Sequence, residues 1–199
     1  MEKQMNTVRN LIAVAIVAAF PLSVGAQTTG SEVQRDVNQQ QRIEQGLQSG
    51  SLTTREASKL EKEESQVNRM ESRALKDGKL SDAEKARIQN AQNRVSRDIE
   101  KDKHNAQTGN PNSASSKRMQ ADVQRNVNQE KRIEQGVRSG QLTNREAGRL
   151  ERGQANVDRR EARAGADGHV GRAEERGIQS AENRQSRQIF NQKHDSQKK

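Results

Sequence analysis

The residues best suited to chemistry lie at two glycine turns. In Asp77-Gly78-Lys79-Leu80-Ser81-Asp82-Ala83-Glu84 the Gly, the aliphatic residue and the final Glu fall where a twelve-residue calcium loop has positions 6, 8 and 12. Asp77 would be position 5. The loop departs from that pattern at its start, where Arg73 and Leu75 stand in place of oxygen ligands. The matching stretch around Asp167 and Glu174 has Arg163 and Gly165 there. A guanidinium at the first ligand position repels a divalent cation. Asp77, Glu84, Asp167 and Glu174 therefore make at most a degenerate divalent-ion site, and no metal centre or cofactor is expected otherwise. His104 and His194 each follow a lysine, and neither has the convergent partners that a metal needs. Ser96 and Ser186 each precede a His by eight residues, about 12 Å along one helix, too far for direct proton transfer. Glu61 and Glu71 lie among arginines and read as a solvated helix face. No nucleophile elbow, phosphate loop or metalloprotease signature is present. The expectation is a protein that is not an enzyme.

The same turns are fully explained as helix boundaries. Thr53 with Glu56 and Ser81 with Glu84 have the spacing of capping boxes, each with a leucine just before the cap. Gly50 and Gly78 precede them and can take the left-handed conformation that ends a helix. Gly140, Thr143, Glu146, Gly168 and Glu174 repeat the set, but Gly171 stands where the first copy has Ser81. The boundaries predict helices over about 31–48, 53–76 and 81–104, and again over 121–138, 143–166 and 171–194. No stretch has the β-branched alternation of a strand.

This duplication runs through most of the chain. Residues 33–107 align without gaps on 123–197, with 40 identities in 75 positions. Arg42-Ile43-Glu44-Gln45-Gly46 returns as Arg132-Ile133-Glu134-Gln135-Gly136. The expected architecture is all-α, two tandem three-helix units at 33–107 and 123–197, each a helical hairpin or slim bundle. Residues 108–122, which include Gly109-Asn110-Pro111-Asn112-Ser113, read as a flexible linker, and 27–32 as a disordered N-terminus. Two modules on a tether are expected. The apolar stripes are thin: Val33, Val37, Ile43 and Leu47; Leu60, Val67 and Ala74; Ile88, Ala91, Val95 and Ile99. Units of this size with so few large apolar groups are marginal alone, and a homodimer could complete the seam. Gly148, Gly153 and Gly177 lie inside the second set of helices and predict a weaker second unit.

Composition narrows the setting. The chain has 199 residues, only 28% hydrophobic, with two Phe, no Trp, no Tyr and no Cys. A large core, disulfides and thiolate sites are excluded, and most aromatic-lined pockets are disfavoured. Lys3 and Arg9, the apolar run Leu11 to Phe20, Pro21 and Val24-Gly25-Ala26 form the pattern of a secretory signal over 1–26, cleaved after Ala26. The mature chain then carries no transmembrane segment and lies in the periplasm. The net charge is +9. Without residues 1–26 it is +8, from 34 basic and 26 acidic residues. That balance favours anionic partners. Nucleic acid is disfavoured by export, by the scarcity of stacking aromatics and by the alternation of acidic and basic residues. An envelope protein or an anionic envelope polymer is the expected partner.

The ordered series Arg-Ile-x-x-Gly-x-x-x-Gly-x-Leu-Thr-x-x-Glu-Ala, then Asp-Gly, then Ser-Arg-x-Ile-x-x-x-Lys-His resembles a group of small secreted proteobacterial proteins of uncharacterised role. It runs from Arg42 to His104 and from Arg132 to His194. The resemblance implies a Gram-negative periplasm and a helical build, and transfers no catalytic or binding residue. The reading is a non-enzymatic periplasmic protein that binds or scaffolds through mixed-charge helix faces. The alternatives are the degenerate ion binder and a binder of anionic polymers.

Overall fold

The computed structural model describes residues 24–195, with side chains from residue 29. The expected export signal over 1–26 therefore falls outside the described residues except for 24–26. The described chain is all-helical: α1 (Val24–Ser49), α2 (Thr54–Ala74), α3 (Asp82–Lys103), α4 (Ala114–Arg138), α5 (Asn144–Ala164) and α6 (Arg172–Lys193). A single 3-10 turn, Leu75–Asp77, follows α2. No described helix is long and apolar enough to cross a membrane.

Local chemistry sets the boundaries. Thr53, Ser81 and Thr143 each accept a hydrogen bond from the backbone three residues on, while the Glu at that position reaches back to the cap. At Gly171 only the Glu174 half remains, an acceptor for the Gly171 N–H at 2.8 Å. Gly50, Gly78, Gly140 and Gly168 have φ between 74° and 89°, which a side chain would oppose.

The two halves of the chain are not separate modules. α2 runs antiparallel to α5, with Leu75 against Gly148 and Ser58 against Gly165, and α1 runs antiparallel to α4, with Gly30 against Arg138 and Leu47 against Gln120, so both of these close pairs join one half to the other. At the α2–α5 crossing Ser65 Oγ donates to the Ala155 carbonyl at 2.9 Å. At one end of that contact a Cβ on Gly148 would meet Leu75 Cβ at 2.8 Å. Glycine there permits the approach, and a Cβ on Gly153 would strike the Gln185 side chain. Of the three interior glycines only Gly177 has open space and is a plain cost to its helix. The apolar residues merge into two clusters, each drawn from both halves. One gathers Ile43, Leu47, Leu60, Met119, Val123 and Ile178. The other gathers Val33, Leu75, Ile133, Val137, Leu150 and Ile189. The thin stripes are thus completed within one chain, because neither half has enough apolar surface to close alone.

Two expected boundaries change for the same reason. Residues 27–32 belong to α1, and Thr29 and Glu32 are buried. The expected linker 108–122 is helical from Ala114, capped by Ser113, and Met119 is fully buried in the first cluster. Its extended part is fastened too, through the Gly109 N–H to the Gly50 carbonyl at 2.8 Å.

Candidate metal centre

Between the two apolar clusters each of the four central helices carries a polar segment. On α1 it is Asp36 and Gln40, between Val33 and Ile43. On α2 it is Glu61, Glu64, Asn68 and Glu71, between Leu60 and Leu75. On α4 it is Asn126 and Glu130, between Val123 and Ile133. On α5 it is Glu151, Gln154, Asp158 and Glu161, between Leu150 and Ala164. Spacings of three and four keep each set on one helix face, and the four faces meet in the interior. All of these side chains are buried, and Glu61, Glu64, Glu130, Glu151, Asp158 and Glu161 are 0% exposed. The row thus holds eight carboxylates and four amides.

Glu61 and Glu71, read from sequence as a solvated face, are the clearest correction. The bases near them in sequence, Lys59, Lys62, Arg69 and Arg73, are exposed or half-buried, while the carboxylates turn inward, Glu61 to Gln40 of α1 and Glu71 to Gln92 of α3. Among the described residues no Lys, Arg or His is buried. The nearest bases stand at the rim, as where Arg125 donates to Glu182 at 2.8 Å.

The amides join the row into a network. Gln40 donates to Glu61 at 3.0 Å, Asn68 to Asp158 at 2.9 Å, Asn126 to Glu161 at 2.7 Å and Gln154 to Asn126 Oδ1 at 2.9 Å. Gln92 of α3 donates to Asp36 at 2.8 Å and to Glu71 at 3.2 Å. The donors fall far short of the acceptors. Neither oxygen of Glu64 or Glu151 accepts a hydrogen bond. One oxygen each of Asp36, Glu61, Glu71, Glu130, Asp158 and Glu161 is likewise without a partner. So are the amide oxygens of Gln40, Asn68 and Gln154, which protonation cannot relieve in the way it relieves a carboxylate. A buried oxygen without a donor costs about 1–3 kcal/mol, and a charged one more. Glu61, Asp158 and Glu161 each place an oxygen within 4.8 Å of the others, a set that could hold a metal ion.

Burial raises every acid of the row, because the charged form loses its hydration. Asp36 and Glu61 are pushed up to about 7. Glu64, Glu71, Glu130, Glu151, Asp158 and Glu161 lie well above the usual carboxylate range, first through desolvation and then through one another's charge. At the edge of the row Asp122 rises to about 8 and Glu182 to about 7, again mainly by burial. Repulsion of this kind is relieved by protons or by a cation.

No family model, curated protein or solved structure matches this chain. The chemistry of the site must therefore come from its own residues.

The turn residues singled out from sequence do not converge on a ligand position. Asp77 Oδ1 accepts from the Lys79 N–H at 2.9 Å, and Asp167 Oδ1 from the His169 N–H at 2.8 Å. Glu84 Oε2 is held by the Ser81 hydroxyl and N–H. The carbonyls of Asp77 and Asp167 accept from Arg145 and Arg55 of the opposite half, at 3.1 and 2.8 Å, so a guanidinium covers each turn. Thr53, Glu56, Thr143 and Glu146 serve caps. His104 and His194 are exposed, with Nδ1 on the carbonyls of Glu100 and Phe190. Ser96 and Ser186 receive hydrogen bonds from Gln39 and Gln129. The sequence did hold a signal for the row: Glu61, Glu64, Asn68 and Glu71 form a stripe of acids and an amide with no base in it.

Proposed function

We propose that this protein is a non-enzymatic, exported binder of hard multivalent metal cations, which it takes up between its two layers of central helices. In this reading residues 33–107 and 123–197 are duplicated three-helix units that close face to face around the cations. The carrying observation is the row of eight buried carboxylates with no buried base among the described residues and with unpartnered oxygens on every one. Oxygen-only donors suit calcium, manganese or a trivalent lanthanide. The described chain offers no thiolate and no buried imidazole to draw softer metals. Export would put such a binder in contact with extracellular cations, and its basic outer surface would face the anionic envelope.

The test uses the full chain stripped with a chelator and titrated with Ca2+, Mn2+ or Tb3+. Binding heat and a rise in Tm of roughly 5–10 °C at a hundredfold excess over Kd are expected. Absence of heat and of any Tm change for all three cations up to millimolar concentration would overturn the proposal.

A further inference from the structure

The row is not uniform when compared across the 90-residue offset. Glu61 and Glu71 return as Glu151 and Glu161, but four positions exchange an acid for its amide: Asp36 for Asn126, Glu64 for Gln154, Gln40 for Glu130 and Asn68 for Asp158. We infer that the row is two cation centres of unequal charge, each built from both halves of the chain, an inference that rests on the cation-binding reading above.

The first centre draws Asp36, Glu64, Asn68 and Glu71 from the first half and Glu130 and Glu151 from the second. Asp36 and Glu71 share the Gln92 amide as their donor, at 2.8 and 3.2 Å, and Glu64 has Asp36 as its foremost charged neighbour, ahead of Glu61 and Asp158. Glu71 faces Glu151 and Glu130, and Asn68 stands 3.5 Å from Glu130. The second centre draws the equivalent Asn126, Gln154, Asp158 and Glu161 from the second half and Gln40 and Glu61 from the first. Its members are linked by the Gln40–Glu61, Asn126–Glu161 and Gln154–Asn126 hydrogen bonds and by the close approach of Glu61, Asp158 and Glu161. The Asn68–Asp158 hydrogen bond, 2.9 Å, joins the two centres.

The first centre thus has five carboxylates and one amide, the second three of each. Eight oxygens of the first lack a hydrogen-bond partner, and five of the second. The unpartnered oxygens include amide carbonyls, so the sites are not made by acids alone. Six side chains supply the six to eight oxygen ligands that a hard cation takes. Affinity in such sites follows ligand charge. Three carboxylates with neutral amide oxygens match a divalent cation. Five carboxylates call for more positive charge, so the first centre favours a trivalent cation.

The test is a Tb3+ and a Ca2+ titration of the chelator-stripped full chain, its Glu151→Gln variant and its Asp158→Asn variant. Both substitutions keep shape and remove one repulsive charge. Wild type should bind Tb3+ in two steps separated by at least about tenfold. E151Q should weaken the tighter step by about tenfold or more and spare the other, and D158N should do the reverse. Ca2+ should show a smaller separation between its steps. A single bound ion, or equal weakening of both steps by each variant, overturns the two-centre inference while leaving cation binding standing. Failure of every cation to bind wild type overturns both.

Discussion

Glu84 and Glu64 stand on neighbouring helices, and their oxygens meet opposite treatment. Glu84 ends a turn that looks like an ion loop, and its Oε2 is held by the Ser81 N–H and hydroxyl. Glu64 lies mid-helix in an ordinary polar stretch, fully buried, and both of its oxygens are without partners. A carboxylate's chemistry is thus decided by what is left over after local geometry is satisfied. At a helix start the free N–H groups consume a carboxylate. In a helix interior the backbone has nothing to donate, so an inward-facing acid must find a proton, an amide or a cation.

The strongest response should come from pH, because so many acids act together. Asp36 and Glu61 are raised to about 7 and Asp122 to about 8, with the rest of the row raised in the same direction. The folded chain therefore binds more protons than the unfolded chain from about pH 4 up to these values. Stability from this source is fully present below the unfolded pKa and is lost as pH rises through 7–8. The acids interact, so the loss should be read as one composite transition. In chelator, Tm should fall by roughly 10 °C or more between pH 5 and pH 8. A saturating cation should remove or reverse the fall, because its ligands bind deprotonated. A chelated protein whose Tm rises over that interval would erase the contrast between interior and turn acids.

A single interior position isolates the effect of one charge. Glu64→Gln removes a buried charge and keeps the volume. Metal-free stability at pH 8 should increase by roughly 1–3 kcal/mol, since burying the acid there costs either an unpaired charge or the uptake of a proton, and the amide needs neither. The gain should shrink at pH 5, because burial and the neighbouring acids hold Glu64 well above the usual carboxylate range. Chemical denaturation at both pH values measures this. A destabilised variant at pH 8 would mean that Glu64 has a structural partner.

The helix starts were legible in the sequence because capping is settled within four residues. Thr53 with Glu56 needs no knowledge of the rest of the chain. The expected export signal rests mostly on residues 1–23, which the structure does not describe. The packing of the two halves was not legible, because the marginal stripe of each half says that a partner is needed without saying which surface supplies it. The apparent linker misled for a related reason: Ser115, Ser116 and Met119 become helical where they are covered by the rest of the bundle. The carboxylate row was missed because Glu61 sits beside lysines and Glu71 beside arginines in sequence, and alternation in sequence does not reveal which face turns inward. Setting the halves side by side exposes it. Acid-for-amide exchange at 36 and 126, 40 and 130, 64 and 154, 68 and 158 is a pattern of complementary interior positions.

The turns should respond least. The double variant Asp77→Asn with Glu84→Gln retains an acceptor oxygen at both positions. The Lys79 and Ser81 N–H groups keep their bonds, and the Arg145 contact runs to the Asp77 carbonyl, which the substitution leaves alone. Stability should change by no more than about 0.5 kcal/mol, as at other surface sites. The number of cations bound and their order of affinity should match wild type, because no oxygen of the row is altered. If this double variant instead loses a cation that Glu151→Gln retains, the turn is the binding loop and the buried row is a proton-neutralised core. The roles of Glu84 and Glu64 would then exchange, with ligation at the helix start and proton storage in the helix interior.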